Sequence, residues 1–230
     1  MLWYQGETNA ARAHQYKYAF PLLINDWRRR FKQGDFPFYF VQLSSYRANI
    51  GNSAKGSEWA ELREAQTQTL SLQNTGMSVT LDIGETNDIH PANKHDVGER
   101  LAAIALNQQY KRNIPYSGPV YHSMQIADNK AVLSFLNIDT GYFIKDKYGY
   151  IKGFEVAGGD RKFYFARAYI ENDKVVVHSD SVAAPVAVRY GWADDMPDAN
   201  LYNKQGFPAG PFRTDNWPGI TDKVKYIITY

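Results

Sequence analysis

Apolar and polar positions change period along the chain, and those changes mark out most of its elements. A short apolar run at residues 2–5 leads into Gly6-Glu7-Thr8-Asn9, after which Tyr16, Phe20, Leu23 and Trp27 recur at spacings of four, three and four. That spacing draws one apolar stripe on a helix. Thr8 or Asn9 is placed to cap it, and Pro21 inside it predicts a kink or a second helix start. Residues 36–43 are nearly continuous in apolar and aromatic side chains, the pattern of a strand buried on both faces. A polar loop over 44–56 follows. Ser57 ahead of Glu58-Trp59-Ala60-Glu61-Leu62 then predicts an N-capped helix reaching about residue 72. Residues 77–82 read as a further buried strand. Val97, Leu101, Ile104 and Ala105 form the apolar face of a helix from about 94 to 110.

Strands alternating with helices predict a parallel sheet covered on both faces, and in such sheets functional sites gather at the carboxyl ends of the strands. Around residues 113–119, rich in Pro, Gly and Asn, the pattern changes. Short alternating runs at 131–136, 163–170, 174–178 and 186–190 are separated by Asn, Asp and Gly turns, and no helical period recurs after Tyr110. The expectation is an α/β unit over residues 1–114 followed by a small all-β, sandwich-like unit over 115–230.

Composition narrows the function classes. A net charge of +2, with Arg28-Arg29-Arg30 as the one basic cluster, lacks the positive face that nucleic-acid binding needs. That cluster reads as a solvated helix face. Cysteine is absent, which excludes disulfides, thiolate nucleophiles and Cys-based zinc sites. No apolar run approaches the ~20 residues of a membrane span, so no membrane partner is expected, and the first residues lack the pattern of a signal peptide. Aromatic residues reach 15% of the chain, including 17 Tyr and 5 Trp. Trp192, Tyr202, Phe207, Phe212 and Trp217 fall in one Gly/Pro-rich segment, where they could form a sugar platform or fold back against the first half. The packing role is the preferred one.

The clearest chemistry lies at Asp88-Ile89-His90-Pro91. A loop histidine at a strand end, with a carboxylate two residues before it, is where the general base of a hydrolase would sit. Gln5-Gly6-Glu7 occupies the corresponding end of the first strand. His14, His95, His122 and His178 read as surface or sheet positions. No spacing joins the histidines into a metal set, and no metal or cofactor is expected.

Trp3-Tyr4-Gln5-Gly6-Glu7-Thr8-Asn9 resembles the W-Y-Q-G-E-S-N block of sialate O-acetylesterases and related carbohydrate acetylesterases of the SGNH hydrolase superfamily. Asp88-Ile89-His90-Pro91, with Lys94 and Arg100-Leu101-Ala102 behind it, resembles their last block. The similarity continues through Gly118-Pro119-Val120-Tyr121, Lys152-Gly153-Phe154-Glu155, Ala187-Val188-Arg189-Tyr190 and Asn200-Leu201-Tyr202-Asn203 to Pro211-Phe212-Arg213-Thr214-Asp215. It implies an SGNH-type, flavodoxin-like sheet and a serine esterase that removes acetyl groups from a sugar such as sialic acid. In that scheme His90 is the base and Asp88 the carboxylate that orients it, while Gln5, Gly6, Glu7 and Asn9 line the cleft and help to bind the oxyanion. Many relatives place the acid three residues before the histidine, where this chain has Asn87, and Asp82 is the second candidate.

In the resembled family the nucleophilic serine lies in a G-Q-S-N-like block well before the W-Y-Q-G-E block. This chain starts two residues ahead of the latter, so the expectation is a C-terminal portion without its nucleophile, inactive or nearly so alone. Ser44 and Ser45 sit at a plausible strand end but lack a glycine-flanked elbow. The alternative is a non-catalytic carbohydrate-binding protein that works through the aromatic β unit. An incomplete parallel sheet would also leave a bare edge, inviting self-association or a separate N-terminal fragment. Localisation is not legible in these residues; relatives are often exported, which points weakly toward the periplasm or the outside.

Overall fold

The structure, a computed structural model, describes residues 1–47 and 51–224. Its first half is β1 (Leu2–Trp3), α1 (Ala13–Phe31), β2 (Phe38–Val41), α2 (Glu58–Gln68), β3 (Thr75–Ser78) and α3 (Lys94–Gln108), and the three strands form a parallel sheet in the order β1-β2-β3. The fold is the expected α/β sheet with helices on both faces. Alternation along β2 assigns the faces: Phe38 and Phe40 join Phe20, Ile24 and Leu62 in one core with α1 and α2. Tyr39 turns the other way, toward Gly76 and Ile104 of α3. A Cβ at Gly76 would lie 2.4 Å from Ile104 Cγ2, so glycine there lets α3 approach the sheet.

Several expected boundaries move. The third strand begins at Thr75, and residues 81–83 form a short 3-10 turn. α2 stops at Gln68 and continues as one 3-10 turn; Ser57 is its N-cap, accepting from Ala60 N–H at 2.9 Å. α1 runs unbroken through Pro21, because its buried stripe of Tyr16, Phe20, Ile24 and Arg28 continues on both sides of that residue. The polar loop at 44–56 is described except for Ala48, Asn49 and Ile50, which lie outside the described residues.

Arg28 corrects the expected solvated cluster. It is buried and donates to the carbonyls of Phe36 (2.9 Å) and Gln73 (2.8 Å), tying the end of α1 to the entries of β2 and β3. Only Arg29 and Arg30 lie on the solvated face, both paired with Asp26.

The second half is all-β: β4 (Val120–Ala127), β5 (Lys130–Leu136), β6 (Tyr142–Ile144), β7 (Phe154–Ala157), β8 (Phe163–Phe165), β9 (Arg167–Glu171), β10 (Lys174–His178), β11 (Ala187–Tyr190), β12 (Leu201–Asn203) and β13 (Phe212–Arg213). Two four-stranded antiparallel sheets, β4-β5-β10-β9 and β13-β11-β7-β8, face each other. Ala131, Leu133 and Val175 of one meet Val156, Val188 and Tyr190 of the other in a shared core. The apolar run at 163–170 divides at Ala166 into strands of different sheets. Of the Gly/Pro-rich aromatics, Trp192 and Tyr202 are buried, and Phe212 stacks on Tyr121 at 4.7 Å.

The halves are joined by more than chain. Leu81 lies in the sandwich core. Arg63 of α2 is fully buried and donates to the carbonyls of Leu43, Ser44, Ala193 and Asp194 at 2.6–2.9 Å. Glu64 accepts from Lys17 of α1 (2.9 Å) and takes a two-pronged pair from Arg213 of β13 (2.7 and 3.0 Å). Burial pushes the Glu64 carboxyl up, but Arg213 and Lys17 outweigh it and hold the group below its ordinary range. A depressed folded pKa contributes stability above the unfolded value, near ~4.3, that is lost as pH falls through the folded value. Glu64→Gln is therefore expected to destabilise at pH 7 and to converge on the parent near pH 3, measured by urea unfolding at both; an undiminished difference in acid would contradict the pairing.

Candidate active site

Three strand ends meet at the carboxyl edge of the parallel sheet. β1 delivers Tyr4, Gln5 and Gly6 into a 3-10 turn, Glu7–Arg12. β2 delivers Ser44 and Ser45, and β3 leads through a 3-10 turn into the loop that carries Asp88 and His90. That loop is pinned from both sides. Gly84 packs so closely on the Ser45 backbone that a Cβ would lie 2.3 Å from it, Arg47 N–H donates to Thr86 O at 3.0 Å, and Thr86 Oγ1 donates to Asp195 at 2.7 Å. Ile89 packs against the first core, while Asn93 caps α3 by accepting from Asp96 N–H.

His90 stands out from this loop with its side chain 84% exposed, and Nδ1 lies 3.7 Å from Asp88 Oδ1. That is ion-pair reach, longer than a hydrogen bond. The same carboxylate oxygen accepts from the His90 main-chain N–H at 2.8 Å, so Asp88 shapes the loop as well as facing the ring. Asp82, the other candidate acid, is committed elsewhere: Arg100 grips it through two bonds of 2.7 Å and Tyr202 Oη donates to it at 3.0 Å. Burial pushes the Tyr202 hydroxyl up, and the Asp82 carboxylate adds to the rise.

The Gln5–Asn9 block is bonded within itself. Gln5 Nε2 donates to Asn9 Oδ1 at 2.7 Å, Tyr16 Oη donates to Gln5 Oε1 at 3.1 Å, and Gly6 N–H donates to Glu7 Oε2 at 2.8 Å. Gly6 is buried, and a Cβ there would lie 2.8 Å from Leu62. Its N–H, expected to be open for an oxyanion, is thus taken by Glu7 in this structure.

Tyr4 and Lys94, which sequence reasoning did not assign to the site, bridge its two walls: the Lys94 ammonium lies 5.3 Å from the Tyr4 ring centre. Neither strand-end serine is free. Ser45 Oγ donates to Leu81 O and accepts from Met196 N–H, and Ser44 is buried. His95 pairs with Asp96 and Glu99 on exposed turns of α3, and His14 with Asp222.

The family model of carbohydrate esterases described as sialic acid-specific acetylesterase matches residues 1–107. The fold superposes on the solved carbohydrate acetylesterase XAC1771 from Xanthomonas citri with a TM-score of 0.88 and 44% identity, over 94% of this chain and 50% of that one. The chain is thus similar to carbohydrate acetylesterases over nearly all of its length. Among curated acetylesterases, human sialate O-acetylesterase is 28% identical over 97% of this chain and 48% of its own length, and the mouse protein 29% identical over 92% and 43%. The chain thus spans about half the length of the acetylesterases it matches.

Proposed function

We propose that this chain carries the acid–base half of a carbohydrate O-acetylesterase site, with sialic acid as the acetylated sugar, and that the nucleophilic serine comes from outside residues 1–230. The observation behind this is the placement of Asp88-His90 and Gln5–Asn9 on one carboxyl edge of the sheet, in a chain matching acetylesterases over nearly all its length. In the proposed reaction His90 takes the proton of the serine hydroxyl as its oxygen attacks the acetyl carbonyl. Asp88 faces the imidazolium that forms. The sugar alcohol leaves with that proton, and water then attacks the acetyl-serine, its proton passing through His90 to the serine as acetate departs. Because Gly6 N–H already donates to Glu7, the second amide proton of Gln5 and the amide of Asn9 are the nearer donors for the oxyanion.

Two features support an external serine. Ser44 and Ser45 are buried, and Ser45 is bonded in place. The outer edge of β1 carries no strand among the described residues, and Met1 and Leu2 are exposed there, so a serine-bearing N-terminal fragment has an edge on which to add. In the same proposal residues 1–114 bear the site and 115–230 brace it. Assayed alone on O-acetylated N-acetylneuraminic acid, the chain is expected to release acetate at the uncatalysed rate. Turnover that a serine-directed fluorophosphonate abolishes would overturn the external serine.

A further inference from the structure

Away from the His90 loop, a cleft of about 280 Å³ opens between the turn at residues 53–56 and the outer sheet of the sandwich. Its lining is an interleaved set of rings and cations. The Arg161 guanidinium lies 5.3 Å from the Trp217 ring centre, and Phe163 meets Trp217 edge-on at 5.7 Å. Arg189 lies 4.1 Å from the Phe163 ring and 5.2 Å from Trp192, and Arg213 lies 5.1 Å from Trp192. Trp217 is held by its main chain: its N–H donates to Asp215 and its carbonyl accepts from Arg213.

The charges divide into spent and unspent. Arg189 is paired with Asp215 through two bonds of 2.9 and 3.0 Å, and Arg213 with Glu64. Glu61, also at the cleft, is saturated by the main-chain N–H groups of Ile220 and Thr221 and by the Thr221 hydroxyl. Arg161 and Lys55 have no carboxylate partner among the described residues. The cleft therefore presents rigid aromatic carbon together with two free cations, one of them a guanidinium whose fork matches a carboxylate. Its volume, near the lower end of ligand pockets at ~300 Å³, suits a single ring.

We propose that this cleft is a binding site for a carboxylated monosaccharide, with the carboxylate on Arg161 and Lys55 and the ring's C–H face against Trp217 and Phe163. The site stands on its own geometry and does not depend on the esterase reaction.

Titrating the whole chain with N-acetylneuraminate, glucuronate, glucose and adenosine monophosphate, followed by calorimetry and Trp fluorescence, tests it. Saturable binding of the two sugar acids and none of glucose is expected. Arg161 is exposed, so Arg161→Gln keeps the fold; it should weaken sugar-acid binding about tenfold or more, and Trp217→Leu should weaken it as well. Absence of saturable binding, equal response to glucose, preference for the nucleotide, or unchanged affinity in Arg161→Gln would each overturn the proposal. So would binding lost in His90→Ala but kept in Arg161→Gln, because the ligand would then occupy the His90 site.

Discussion

Fused behind the half of XAC1771 that it does not match, this chain is expected to gain acetyl-ester hydrolysis, and His90→Ala in the fusion is expected to lower kcat/KM by roughly 10³-fold. That loss corresponds to about 4 kcal/mol of transition-state stabilisation, the scale of removing a general base. The swap is reasonable at 44% identity and a TM-score of 0.88 over 94% of the chain. His90 is a sound probe because its side chain is mostly solvent-facing and only its main-chain N–H is bonded, so alanine leaves the loop intact. Asp88→Asn should cost less, since the acid sits 3.7 Å from the ring and the exposed pair is screened by water. The measurement is steady-state kinetics on an acetyl ester with the fold checked by circular dichroism. A fusion that hydrolyses the ester and keeps full kcat/KM without His90 would remove it from the mechanism.

The largest stability effect is expected at Arg63. Arg63→Ala should destabilise the chain by about 3–5 kcal/mol, because four carbonyls of two segments would lose their donors inside the protein. Burial pulls the Arg63 pKa down to about 9, with the Asp194 and Asp195 carboxylates opposing, so the group remains cationic at neutral pH. Arg63→Lys should recover little, since a single ammonium cannot replace the planar fork that reaches both the 43–44 and 193–194 segments. Urea unfolding of the three proteins is the check. A loss below ~1 kcal/mol for alanine would mean that water satisfies those carbonyls and that Arg63 does not hold the halves together.

The sequence pattern carried the order of elements because that information is local. Ser57 caps α2 and the acids behind it sit in the first turn, and Val97 and Ile104 face inward on α3 as their spacing predicts. The change to short alternating runs after residue 119 foretold the sandwich for the same reason. Local patterns misled where a charged residue was drawn inward. Arg28 reads as part of a solvated helix face, yet it is buried to serve carbonyls from segments distant in sequence, as Arg63 is on the next helix. The apolar run at 163–170 gave no sign of dividing between two sheets, since that depends on which neighbour Phe163–Phe165 and Arg167–Glu171 each find.

At the site, chain order alone put Asp88 beside His90, and two strand ends put Gln5-Gly6-Glu7 on the same edge of the sheet. Tertiary structure decided what those residues are free to do. Arg100 and Tyr202 claim Asp82, Glu7 claims the Gly6 N–H, and Leu81 and Met196 claim Ser45. Propensity and periodicity are properties of neighbours along the chain, so the sequence determined the elements and the positions of its polar blocks. Which buried donor meets which acceptor depends on segments as far as 160 residues apart, and only the packed fold settles it.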